Sequence, residues 1–232
     1  MKIEIWSDFV CPFCYIGKRK LETALEQLSF TDAEIIYKSF ELDPGASKNS
    51  GQTIHEKLAE KYGRSIEEAK QMTSNMEQQA AEVGLTFNFD KQVPTNTFDA
   101  HQLTKIAESR GLDKEVAEKL FEAVFTKGQD VGNIDILSTI GKSCGLTDEE
   151  IRDVLINSKF SAKVREEEME ARQLGVQGVP FFVFNSKYAI SGAQPIETFV
   201  QSIQKVLEEE SEKPVLEDLS SHKGAACTDD NC

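Results

Sequence analysis

The chain is short of positive charge, has no long apolar run and carries too few cysteines for a disulfide scaffold. Its 232 residues hold 26 Lys and Arg against 40 Asp and Glu, a net charge of −14. Sequence-independent nucleic-acid binding needs clustered basic residues, so that role is excluded. Docking on an anionic membrane surface is excluded on the same ground. Apolar runs such as Val179–Phe184 fall far short of the roughly 20 residues that cross a bilayer. At the N-terminus, Glu4 and Asp8 interrupt any secretory apolar segment. The expected location is therefore cytoplasmic, with a mature exported form carrying an added Met as the alternative. The five cysteines are Cys11, Cys14, Cys144, Cys227 and Cys232. Their number is odd, and a chain of this length builds a core without staples. In a reducing compartment they are catalytic, metal-binding or simply buried.

What is present falls into three textures. Lys2–Trp6 alternates polar and apolar residues and reads as a strand, as does Ala33–Phe40, which Asp43-Pro44-Gly45 stops. Between them, Cys11 to Leu28 reads as a helix with Leu21, Leu25 and Leu28 on one stripe. From about Ala46 to Arg165 helical patterns follow one another: Thr53–Tyr62, Ser65–Val83, Thr97–Ser109, Lys114–Phe125, Ile134–Cys144 and Thr147–Leu155. Ser65 with Glu68 and Thr147 with Glu150 have capping-box spacing. Strand texture returns at Val179–Phe184 and Tyr188–Ile190, joined by a turn-like Asn185-Ser186-Lys187, and an amphipathic helix follows Pro195. The stretch 208–232 holds eight acids against two lysines and ends in the C-x4-C pair Cys227 and Cys232. The expected organisation is an α/β domain from residues 1–45 and 165–207, an all-helical insertion over 46–164, and an acidic mobile tail over 208–232.

Cys11-Pro12-Phe13-Cys14 follows a strand and opens a helix. At a helix N-terminus the unpaired N–H groups and the positive end of the dipole favour a thiolate, the form that attacks disulfides. Pro12 suits the first helical position, where no N–H is needed. The three-residue offset brings both sulfurs to one side of the first turn. The other reading of C-x2-C is a zinc half-site. Zinc knuckles sit in tight turns rather than at the start of a long amphipathic helix, which favours redox chemistry. Further on, Val179-Pro180 begins a strand, where a proline removes a ladder donor. An ordinary trans proline is one reading and a cis Val179–Pro180 bond is the other.

Together these residues resemble the DsbA superfamily of thioredoxin-fold oxidoreductases, specifically its FrnE-like branch. The matching stretches are Ser7–Gly17, Phe40–Pro44, Asn96–His101, Gly175–Phe184 and Ser191–Pro195. The resemblance implies a thioredoxin-like fold, a central mixed sheet flanked by helices, interrupted by a helical domain. It implies that Pro180 is cis and packs beside the dithiol, and that the chain is a protein disulfide oxidoreductase, with isomerase activity open. Cys11 would be the exposed nucleophile, Cys14 the resolving thiol, and Pro12, Phe13 and Val179 the substrate-binding residues. Trp6 and Phe181 would add an apolar docking surface or simply pack in the core. Phe13 stands where family members carry Trp, or His in DsbA itself, and Phe13 cannot help hold a thiolate as His can. The expected partners are protein or small-thiol disulfides and a cellular thiol reductant or oxidant, with no cofactor beyond the redox-active disulfide.

Other readings stay open beside it. Glutathione-dependent isomerases and transferases of the 2-hydroxychromene-2-carboxylate isomerase and kappa type share the resemblance. They usually carry Ser at the first cysteine position and no dithiol, which Cys11 with Cys14 opposes. A zinc-binding, redox-regulated chaperone is a third reading, with zinc at cysteines. Cys227 and Cys232 read as an auxiliary dithiol, a metal site or neither; a coil of about 25 residues spans roughly 25–30 Å, enough to reach across a small domain. Cys144 reads as a small core residue. His55, His101 and His222 form no ligand pattern with the cysteines. His101 reads as a helix-packing residue, with an Asp99–His101 site as the alternative.

Overall fold

The computed structural model describes residues 1–48 and 50–211; Cys227, Cys232 and the rest of the acidic tail beyond Ser211 lie outside the described residues. The fold is thioredoxin-like. Four strands form one mixed sheet: β1 (Lys2–Ser7), β2 (Glu34–Ser39), β3 (Phe181–Phe184) and β4 (Tyr188–Ser191), in the order β2-β1-β3-β4. β1 and β2 are parallel and are joined through α1 (Pro12–Gln27). β3 runs antiparallel to β1 and pairs with β4 as a hairpin. Side chains alternate across a strand. Ile3, Ile5, Phe182 and Phe184 therefore bury on one face, where α1 packs with α9 (Ile196–Ser211) and Phe182 meets Phe199 edge-on at 4.9 Å. Trp6 and Val183 face the other way, against Ala171 and Val176.

Seven more helices lie between β2 and β3 among the described residues. They are α2 (Ile54–Tyr62), α3 (Ile66–Ala81), α4 (Phe98–Glu108), α5 (Asp113–Phe125), α6 (Ile134–Ser143), α7 (Asp148–Leu155) and α8 (Ser161–Gln173). Six of them match the helical runs expected from the sequence to within a residue or two at each end. The two expected capping boxes form, and Thr53 with Glu56 makes a third at the start of α2. The helix α8 was not foreseen. Its sequence, SAKVREEEMEARQ, has almost no apolar stripe, and its buried face consists of Val164, Glu167, Glu168 and Ala171. It also runs through position 165, where the sequence texture changes.

One buried cluster takes in the sheet face under α1 and the helices α4 to α7. Its centre is aromatic: Tyr15 of α1 stacks on Phe121 of α5 at 4.9 Å, and Phe87 stacks on Phe125 at 4.6 Å. A buried ion pair joins the helices to the sheet. Lys105 Nζ of α4 donates to Glu167 Oε1 of α8 at 2.8 Å and to the carbonyl of Tyr37 in β2 at 2.6 Å. Glu167 accepts in turn from the Ser39 N–H at 2.8 Å, and its carbonyl accepts from Trp6 Nε1 at 3.0 Å. Removing one partner of such a pair leaves the other charge buried and unpaired. Lys105→Met is expected to lower stability by about 3–5 kcal/mol in urea unfolding. Lys105→Met with Glu167→Gln should recover much of that loss, whereas an additive double loss would show that the pair is not the link.

Candidate active site

The site is assembled where β1 runs out. Beyond Ser7 the chain turns, the Cys11 N–H donates to the Asp8 carbonyl at 3.0 Å, and Pro12 opens α1 at its first position. Cys11 is the cap residue, in extended backbone, and no side chain caps the helix in its place. The Cys14 N–H donates to the Cys11 carbonyl at 3.1 Å, so the two cysteines close a single turn. Both are free thiols and both are buried, Cys11 at 5% and Cys14 at 2% exposure. The expectation of a well-exposed Cys11 is therefore corrected: the residue is largely covered and opens only into a cleft. Cys14 does not line that cleft among its walls.

The Val179–Pro180 bond is cis, and the Val179 carbonyl lies 3.5 Å from Cys11 Sγ. Close packing holds this loop against α1. A side chain placed on Gly17 would put its Cβ 3.1 Å from both Pro180 Cγ and Phe182 Cζ, so these two rings would have to give by a few tenths of an ångström, and glycine lets helix and loop pack without that shift. The Pro180 carbonyl accepts from the Gly192 N–H at 2.8 Å, which ties the loop to the end of β4. On the inner side, Cys14 Sγ meets the Asp8 N–H at 3.5 Å. Burial pushes the Cys14 thiol well above its ordinary range, and the neighbouring Cys11 sulfur adds to this; Ser7 and the Asp8 N–H oppose it.

The cleft has a volume of about 290 Å³. Cys11, Pro12, Phe13 and Val179 form its floor, and Ile54, Leu58, Met76, Phe89 and Pro94 form apolar walls. Lys57 and Lys61 also line it, and Lys57 Nζ donates to Asp43 Oδ2 at 3.0 Å. The sequence-predicted residues Cys11, Pro12, Phe13 and Val179 thus meet in one place, with Cys14 and Pro180 directly behind. Trp6 and Phe181 do not line the cleft: they pack edge-on at 6.4 Å in the cluster on the other sheet face. Cys144 caps the end of α6 at 6% exposure, and burial raises its thiol as well. Among the described residues no group of three His, Cys, Asp or Glu is placed to hold a metal. None of their helices is long and apolar enough to cross a membrane.

His101 is buried within α4, and the alternative site with Asp99 does not form. Asp99 instead pairs with Lys48 at 2.5 Å and accepts from Gln102 Nε2 at 3.2 Å. His101 turns inward to Asp8, with 3.7 Å between Nε2 and Oδ1. Asp8 and Glu41, both buried beside the site, went unrecognised from sequence. Each sits inside a stretch that carried the resemblance, but their partners come from elsewhere in the chain: the Leu42 N–H and His101 for Asp8, Asn96 and Arg165 for Glu41.

The family model described as DSBA-like thioredoxin domain matches residues 2–204. The chain is similar to the crystal structure of a probable DsbA oxidoreductase from Streptomyces coelicolor. The two are 36% identical, the match covers 100% of this chain and 98% of that one, and the TM-score is 0.87. Among curated proteins it is similar to the uncharacterized protein YwbO of Bacillus subtilis, 26% identical over 203 residues, covering 87% of this chain and 94% of YwbO. The cytosolic disulfide reductase DsbM from Pseudomonas aeruginosa, solved with GSH, shares the fold with a TM-score of 0.63 at 15% identity, covering 90% of this chain and all of that one.

The difference in setting between the thiols leads to an order of reaction. Brief iodoacetamide treatment of the reduced protein at neutral pH should label Cys11 before Cys14 and Cys144, which should react only after unfolding. Mass mapping that found Cys14 or Cys144 labelled first would contradict the assignment of roles.

Proposed function

This chain belongs to the DSBA-like thioredoxin domain family, and on that footing we propose that it is a thiol–disulfide oxidoreductase working through Cys11 and Cys14. The observation that carries the reading is the placement of the two sulfurs. Cys11 stands at the foot of a cleft beside the Val179 carbonyl, and Cys14 is sealed one turn behind it. In the reducing direction the Cys11 thiolate attacks a substrate disulfide and forms a mixed disulfide. Cys14 then attacks Cys11 Sγ and releases the substrate as a thiol. Run in reverse, the same exchange oxidises a substrate dithiol. Isomerisation follows when the substrate's own second thiol displaces Cys11 before Cys14 does.

Protein disulfides are the proposed substrates. The apolar walls suit a side chain flanking the substrate cysteine, and Val179 offers its backbone beside the reacting sulfur. The redox-active disulfide is the only cofactor in this reading, and the setting is the reducing cytoplasm. Within the family the motif stretches favour the FrnE-like branch. A second reading, glutathione as the exchanging thiol, has one observation behind it: Lys61, and Lys57 although it is paired with Asp43, line the cleft of a strongly acidic protein and complement a small anionic thiol. The same pair would draw in an acidic tail, and Cys227 with Cys232 is proposed as an auxiliary dithiol within tether range.

Replacing the resolving thiol separates these roles. The Cys14→Ser protein, incubated with an oxidised model protein, is expected to accumulate a one-to-one mixed disulfide on Cys11. Incubation with oxidised glutathione in parallel tests the second reading. Peptide mapping of the same oxidised samples is expected to find some Cys11–Cys227 or Cys11–Cys232 linkage. A tail linked only to itself would remove the auxiliary role. Wild-type turnover that survived Cys11→Ser would overturn the proposal as a whole.

A further inference from the structure

The cleft in front of Cys11 continues past its apolar walls. Tyr62, the last residue of α2, lines it, and Tyr62 also lines a second concavity of about 470 Å³ together with Arg64, Glu68, Gln71 and Met72. The tyrosine is 52% exposed. Leu42, which lines the first cleft, and Val93, between the lining residues Gln92 and Pro94, are exposed as well. On α3, Met76 lines the cleft and Met72, one turn earlier, lines the second concavity. Residues four apart lie on one face of a helix, so the two methionines form a single stripe. A hydrogen bond of 3.0 Å between His55 and Thr73 fastens α2 to α3, which puts both concavities on one support.

Three observations say what would lie along this track. Gln92 lines the cleft, is 5% exposed, and its Oε1 has no hydrogen-bond partner. Buried polar atoms are nearly always satisfied. The terminal torsion of a glutamine is soft, so a small turn presents this acceptor to an occupant that carries an N–H. A polypeptide backbone carries one at every residue other than proline. The cations beside the track already have neighbours: Lys57 donates to Asp43 at 3.0 Å, Arg64 to Glu68 at 3.2 Å, and Lys61 lies over the Tyr62 ring at 5.7 Å. What is left to meet an occupant is the tyrosine ring, the aliphatic walls and two thioethers, which adapt to side chains of different shape. Length decides between a polypeptide and a small thiol. Met72 and Met76 are about 6 Å apart along the helix axis. That is roughly two residues of extended chain, and residues two apart on such a chain point to the same side. Glutathione has a single residue on each side of its cysteine and ends before that point.

We propose that the face running from Cys11 past Tyr62 to Met72 receives an extended, apolar segment of a substrate polypeptide. The side chain next to the substrate cysteine enters the cleft, its backbone N–H meets Gln92, and the side chain two positions further on enters the second concavity. This rests on Cys11 and Cys14 being the exchange pair. The exchange chemistry is unchanged, and the track sets which disulfides reach Cys11. Disulfides flanked by locally extended apolar sequence engage both concavities, and small thiols engage only the first.

The probes are two symmetrical disulfides of end-capped peptides, Leu-Cys-Leu and Leu-Ser-Leu-Cys-Leu-Ser-Leu, mixed with the reduced, full-length protein, quenched with acid and separated by chromatography. Exchange with neither peptide would sink the exchange-pair reading and is distinct from the outcomes below. The longer peptide is expected to be reduced about 10-fold faster, the gain that partial burial of one more leucine supplies. Met72→Ala should narrow that ratio to about 2. Equal rates for the two peptides in the wild type overturn the proposal, as does a ratio that Met72→Ala leaves intact. Should that variant not fold, a photo-cross-link decides instead. The Cys14→Ser protein is trapped as a mixed disulfide with the longer peptide carrying benzoylphenylalanine in place of its outer leucines. Illumination and mass mapping should place the cross-link on Tyr62 or Met72, and cross-links confined to other residues overturn the proposal.

Discussion

The burial of Cys14 is the constraint on which the rest depends. A thiol shut away from water is held in its neutral form by desolvation, while its neighbour one turn earlier opens into a cleft. Two chemically identical side chains thereby acquire two roles, one that meets substrates and one that waits. Everything near the start of α1 serves that asymmetry. The Ser7–Val10 segment turns tightly enough to place Cys11 at the cap. Gly17 lets the Val179–Pro180 loop close over the helix. The stack of Tyr15 on Phe121 fixes the first turns of α1 against α5.

The helical half is not an ornament on the sheet. It forms the apolar wall opposite Cys11 through α2, α3 and the segment around Phe89 to Pro94. It reaches under the sheet edge through Lys105 and Glu167, and under the dithiol through His101. A shift of α4 relative to the sheet would therefore be felt at once in the ion pair and in the imidazole next to Asp8. Stability and chemistry are coupled here through one helix.

How much of this was legible in the sequence depended on range. Cys11, Pro12 and Cys14 lie within one helical turn, so their spacing and their place after a strand already carried the chemistry. The capping boxes at Ser65 and Thr147 are equally local; the one at Thr53 had the same three-residue signature and was passed over. The helix α8 was hidden because half of its buried positions are glutamates, Glu167 held by Ser39 and Lys105 far away in sequence and Glu168 by Arg165 on the same helix, which erases the apolar stripe. His101 read as a helix-packing residue, with a site shared with nearby Asp99 only as the alternative. Residues two apart on a helix do not face each other, and His101 found Asp8 across the fold instead. The cleft was invisible for a related reason: its wall residues Ile54, Leu58 and Met76 lie far from Cys11 in sequence and meet it only through the placement of α2 and α3.

The most direct test of the central claim is the redox equilibrium of the Cys11–Cys14 pair. Wild-type protein would be equilibrated in a series of reduced and oxidised glutathione mixtures, quenched with acid, alkylated and mapped by mass. One cooperative two-electron transition is expected, in which Cys11 and Cys14 lose their label together as an internal disulfide forms while Cys144 remains a thiol. Cys11 and Cys14 that stay independently labelled across the series, or a Cys11 that only accumulates glutathione without engaging Cys14, would contradict the assignment of these two thiols as one exchange unit.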